Sequence, residues 1–200
     1  MDSVDFDTIV KLLGAAALLM FTALGSGDAG AEGEGRAAPV RLWVVLQALA
    51  GGVAGALAGV AGQAGGDLGS WALFGAMIGT AQWMALRASD RAHPLWVPAS
   101  VLGWIPFAFV NTPVTWAATG ALAALLQAIL CRRVVHGPLT WIVASAFGWQ
   151  IGGVVGYAVG MTLVQPLGFP LAWVTGWTVV GLVGGLVTAV AIGPALTPKR

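Results

Sequence analysis

A chain of 200 residues that is 58% hydrophobic and 8% charged, with formal net charge +1, excludes an ordinary soluble domain, in which about a quarter of the residues are charged. Mean hydropathy is +0.87, and apolar segments of membrane-helix length take up nearly the whole chain, leaving no room for a soluble catalytic domain. The composition therefore predicts an all-α polytopic membrane bundle.

In chain order, the first apolar stretch is Thr8 to Gly25, with Lys11 near its outer end, and reads as a transmembrane or interfacial helix within residues 1–25. Residues 26–40, rich in Gly, Ala and acidic side chains, read as a cytoplasmic linker. Six further spans are expected over 42–62, 70–87, 95–112, 114–131, 139–160 and 171–193, forming one bundle over 41–200. Eight of the nine basic residues, Arg36, Arg41, Arg87, Arg91, Arg132, Arg133, Lys199 and Arg200, fall in alternate connections or the C-terminal tail. The positive-inside rule then puts the C-terminus in the cytoplasm and, through seven spans, the acidic N-terminus outside. That acidic start does not read as a secretory signal, and the single Cys131 cannot form an intramolecular disulfide.

The six spans alternate between two patterns. One reads W-[VI]-x-A-S-x-x-G-W, at Trp96, Ser100, Trp104 and again at Trp141, Ser145, Trp149, offset by 45 positions. The other carries Trp71, Gly75, Gly79, Gln82, Arg87 and recurs, with the same offset of 45, as Trp116, Gly120, Ala124, Gln127, Arg132. Weaker third copies start at Trp177, with Thr188 in the Gln position, and at Trp43, with Gln47 in the Ser position. The Trp-to-Trp spacing of 25 positions across the basic connection is the same both times, so that hairpin is the unit. The third unit must pair the last helix with 42–62, giving three pseudo-threefold repeated hairpins closed between the two ends of the chain.

The blocks GAMIGTAQWMALR and LWVPASVLGW resemble a group of uncharacterised bacterial multi-pass membrane proteins with repeated GxxxGxxQWxxLR and WVxASxxGW helices. The resemblance covers about residues 70 to 160. It implies a bacterial inner-membrane location and no particular activity. Ala128 departs from it where the first copy has Trp83, and the last helix lacks both Gln and Arg.

Several chemistries are excluded. A retinal Schiff base needs a Lys in the last helix, and haem needs an embedded axial ligand, whereas His93 and His136 lie beside prolines in turns. Intramembrane carboxylates for pumping, metal-ligand spacing, a nucleophile arrangement and a nucleic-acid face are all missing from the sequence. No catalytic or metal residues are expected, and no cofactor is identifiable. Glycines four apart, such as Gly51, Gly55 and Gly59, read as helix-packing strips. Trp43, Trp71, Trp96, Trp116, Trp141 and Trp173 read as interfacial belt residues. Trp104 and Trp149 lie about 12 Å deeper and, with Asn111, are candidate ligand- or pigment-lining residues. Gln47, Gln82, Ser100, Gln127, Ser145 and Thr188 are expected in a polar layer, each Gln at the depth of the Ser of its own hairpin.

The expected function is a non-enzymatic membrane scaffold or binding subunit that docks on another membrane protein or holds a lipid-like ligand. The alternative is a passage for a small neutral solute along the repeat axis.

Overall fold

The computed structural model describes residues 34–196 apart from 111, 113 and 136. The first apolar stretch, most of the linker segment and Asn111 lie outside the described residues. Within them the chain is all-helical. Helix α1 (Glu34–Arg87) begins inside the segment read as linker and is broken at Gly66, whose φ of 61° is a left-handed conformation that suits a residue without a Cβ. Its two arms, 34–65 and 67–87, fold back on each other, and the Ser70 hydroxyl donates to the Ala58 carbonyl at 3.0 Å across the bend. Helix α2 (Trp96–Trp104) runs into a 3-10 turn over Ile105–Ala108 and is followed by α3 (Thr115–Leu130). Helix α4 (Pro138–Leu167) has proline at its first position, where the missing N–H costs nothing. Gly168, at φ 76°, turns the chain directly into α5 (Phe169–Leu196).

These segments close a ring through positions where a side chain would not fit. A Cβ on Gly181 of α5 would overlap the Gln47 carbonyl oxygen of the first arm. On α4, a Cβ at Gly152 would come within 2.8 Å of the Val180 carbonyl of α5. A Cβ on Gly120 of α3 would sit 2.8 Å from the Ser145 carbonyl of α4, and one on Gly103 of α2 would strike Ala123 of α3. A Cβ on Gly75 of the second arm would meet the Ser100 carbonyl of α2 at 3.0 Å. Backbones this close gain dispersion contacts, which drive association where lipid replaces water.

Among the described residues, three helices are long and apolar enough to cross a membrane: Pro39–Ala58, Pro138–Leu167 and Phe169–Gly193. The chain is thus a helical membrane protein. The span expected over 70–87 is not among them, and those expected over 95–112 and 114–131 are shorter than that, with 13 residues in Trp96–Ala108 and 16 in α3. Pro106 accounts for the shortening within 95–112, since it withholds an amide from the helical ladder and the backbone tightens into the 3-10 turn. Large apolar side chains, among them Ile129, Leu139, Phe147 and Val190, remain exposed on the outer faces, as a bilayer-facing surface requires.

Candidate functional site

Two layers of side chains fill the ring. The first is a buried network of amides and hydroxyls near the basic connections. Gln82 Nε2 donates to Gln47 Oε1 at 3.0 Å, and Gln127 Nε2 donates to Gln82 Oε1 at 3.1 Å and to Ser100 Oγ at 2.9 Å. Three indoles from the other pattern cap the layer: Trp96 donates to Gln82 Oε1 at 3.0 Å, Trp141 to Gln127 Oε1 at 3.1 Å, and Trp43 to Thr188 Oγ1 at 3.1 Å. All of these side chains are buried. The bonds also fix the amide orientations, because Gln82 Oε1 lies between two donors and both Gln127 amide protons have acceptors.

Five of the six expected layer residues, Gln47, Gln82, Ser100, Gln127 and Thr188, are joined in this network, and of the two pairings open to each Gln, its own hairpin or the neighbouring one, the structure has the neighbouring one. Gln127 reaches back to Ser100 rather than to Ser145 of its own hairpin, and Gln82 reaches Gln47, which occupies the Ser position of the first arm. Ser145 is buried with no hydrogen-bond partner among the described residues. The residue at the corresponding position of α5 is Thr188, whose side chain is shorter than that of Gln. Its hydroxyl donates to its own helix at the Gly184 carbonyl, 2.7 Å away.

The second layer is aromatic. Trp71, Trp116 and Trp177, the equivalent residues of the three pattern copies, form a nearly equilateral triangle with ring centroids 5.8, 5.7 and 5.7 Å apart. Phe107 stacks on Trp71 at 3.8 Å, and Trp104 meets Trp149 edge to face at 5.1 Å. Each such pair contributes about 0.5–1.5 kcal/mol beyond its buried area. The belt expectation is overturned for most of these indoles. Trp43, Trp96 and Trp141 are buried and contact one another through Trp141, at 6.0 and 5.8 Å. Trp71 and Trp116 join the inner cluster, and Trp173 packs on Trp177 at 5.8 Å. The reason is chemical: a helix-end indole satisfies its N–H on a buried amide or its ring on other rings when the bundle offers them. Trp104 and Trp149 are buried as expected.

A cavity of about 560 Å³ opens against this aromatic layer. Its size follows from unequal helix lengths. After Trp96 the chain leaves helical geometry at Ala108, whereas after Trp141, at the equivalent position, α4 continues to Leu167. One wall is therefore about 20 Å shorter than its counterpart at 1.5 Å per residue. Rings from Trp71, Phe107, Trp116, Trp173 and Trp177 line the space, the glycines at 153, 156, 160 and 176 give it smooth walls, and Asp67 and Ser70 stand at the α1 bend. Neither Trp104 nor Trp149 lines it.

Among the described residues, positive charge is segregated to the other end, where Arg41, Arg87, Arg91, Arg132 and Arg133 lie near the helix ends. There Cys131 Sγ lies 3.4 Å from His93 Nδ1, which also accepts the Leu95 amide at 3.3 Å. Burial pushes the Cys131 thiol up to about 11.

Sequence reasoning missed Phe74, Phe107 and Trp177 as members of the aromatic cluster, and Asp67 and Ser70 as cavity residues. Gln150 was also passed over; it accepts the free amide of Ala117 in the first turn of α3 at 3.2 Å. The signal for the cavity was Pro106 together with the unequal connections opposite the arginines, which mark a hairpin cut short beside full-length ones. In comparisons with known proteins, no family model, no curated protein and no solved structure matches this chain.

Proposed function

We propose that the protein is a non-enzymatic membrane binding subunit or scaffold that holds a lipid-like molecule in the aromatic cavity, alone or docked on another membrane protein. The carrying observation is the cavity itself: about 560 Å³, within the size range of small-molecule sites, with walls of rings and glycines that accept an alkyl chain. The proposal includes three helix pairs about one axis. Equal Trp triangle edges and the paired bonds Trp96 to Gln82 and Trp141 to Gln127, each spanning 14 positions, support it. It also keeps the inner-membrane setting of the bacterial group the chain resembles, with the arginines in the cytoplasm and the cavity facing outward.

Passage of a small neutral solute is the weaker reading. The amides use their hydrogen-bonding capacity on one another and on indoles, which leaves little for a moving solute. The test is tryptophan fluorescence of the full chain in nanodiscs containing acyl chains brominated at different depths. Wild type should be quenched strongly at one depth, and Ala108→Phe, which fills the cavity from its short wall, should lose that component. Equal quenching in both would refute the reading.

A further inference from the structure

We propose that the cavity selects an amphiphile with a quaternary ammonium head, held by its aromatic rings and by Asp67; this rests on the lipid-holding reading and adds the chemistry of the head group. Rings of Trp71, Trp116, Trp173 and Trp177 line one space, and tryptophan is the side chain whose face attracts a cation most strongly. Asp67 is exposed at the same space and is the only charged side chain among the lining residues described. No arginine, lysine or histidine among the described lining residues meets an anion there, and the described arginines sit at the opposite ends of the helices. The Ser70 hydroxyl already donates to the Ala58 carbonyl at 3.0 Å, so it offers a phosphate or carboxylate head no free proton. A quaternary ammonium, by contrast, has no N–H to satisfy. It needs aromatic rings and a counter-charge, and the lining supplies four indoles and one carboxylate. The alkyl tail then lies along the glycine walls of α4 and α5.

The experiment titrates the full chain in a neutral maltoside micelle, read by tryptophan emission, with three ligands sharing a twelve-carbon chain. One is dodecyltrimethylammonium, the second its uncharged tert-butyl isostere, and the third the corresponding lysophosphatidylcholine. The ammonium should bind at least about tenfold more tightly than the isostere, a difference of about 1.4 kcal/mol. Asp67→Asn should remove about three- to tenfold of that and leave the isostere unchanged; because Asp67 is exposed, the variant should fold. Lysophosphatidylcholine binding as tightly as the ammonium identifies a choline lipid as the source, and weaker binding a free lipophilic cation; either supports head-group selection. Equal affinity for ammonium and isostere overturns the ammonium proposal while leaving the lipid-holding reading standing. Failure of all three ligands to bind overturns both.

Discussion

The indole N–H of Trp43 donates to the hydroxyl of Thr188 at 3.1 Å across 145 positions of the chain. It is the counterpart of the Trp96 to Gln82 and Trp141 to Gln127 bonds, and it joins the first described helix to the last. Trp43→Phe keeps most of the ring volume and removes the donor, while Thr188 retains the Gly184 carbonyl. Thermal unfolding in detergent should show a loss of about 1–2 kcal/mol. Trp83→Phe, at a half-buried indole beneath Arg87, should lose less than about 0.5 kcal/mol. Equal losses would mean that the ring closure contributes nothing.

Gln47 and Thr188 exchange the roles that Ser100 and Gln127 hold elsewhere in the layer. Gln47→Ser should cost about 1–3 kcal/mol by leaving the Gln82 amide short of an acceptor. Thr188→Gln alone should cost about 1–3 kcal/mol by crowding Gln47 in a buried site. The double variant should recover most of both losses, because the repeat puts an amide introduced at position 188 in the place relative to Ser145 that Gln127 holds relative to Ser100, and the Ser145 hydroxyl has no partner among the described residues. A double-mutant cycle showing simple additivity would count against equivalence of the three pairs.

The glycine contacts predict a contrast within one helix. Gly181→Ala would drive a methyl group into the Gln47 carbonyl and should cost more than about 2 kcal/mol. Gly193→Ala meets nothing within 4 Å and should be neutral or stabilising by up to about 1 kcal/mol. Melting curves of the two variants decide the matter.

Cys131 should be inert in the folded protein. Its thiol, raised from 9.0 to about 11 by burial, stays protonated at neutral pH, and the thiolate is the reactive form. Maleimide should label it at pH 7.5 only after denaturation. Since the folded state holds this proton more tightly, its contribution to stability is intact below about pH 9 and declines as pH rises through about 11. Fast labelling of the folded protein would contradict the burial.

Much of the polar layer was legible in the sequence. Gln82 and Gln127 share one offset and one depth, and an amide in a membrane bundle must find a partner, so the five residues that join in the network could be named from spacing. Their pairing was not legible. Whether Gln127 turns to Ser145 or to Ser100 depends on the rotation of α3 against its two neighbours, and a repeat presents a chemically similar hydroxyl on both sides. The indoles were misread for a related reason: Trp43, Trp96 and Trp141 do lie at helix ends, yet period and depth do not say whether an end faces headgroups or the bundle axis. The cavity was obscured because 95–112 reads as one apolar run, and only the backbone consequence of Pro106 shortens it.

The central claim is that the aromatic cavity holds a lipid-like molecule, and native mass spectrometry of the full chain released from a mild detergent tests it most directly. Wild type should carry one amphiphile per chain. Ala108→Phe should fly as the bare chain with an unchanged melting temperature, because Ala108 lines the cavity and its substitution fills empty space. A bare wild-type mass, or the same adduct on both proteins, would contradict the account.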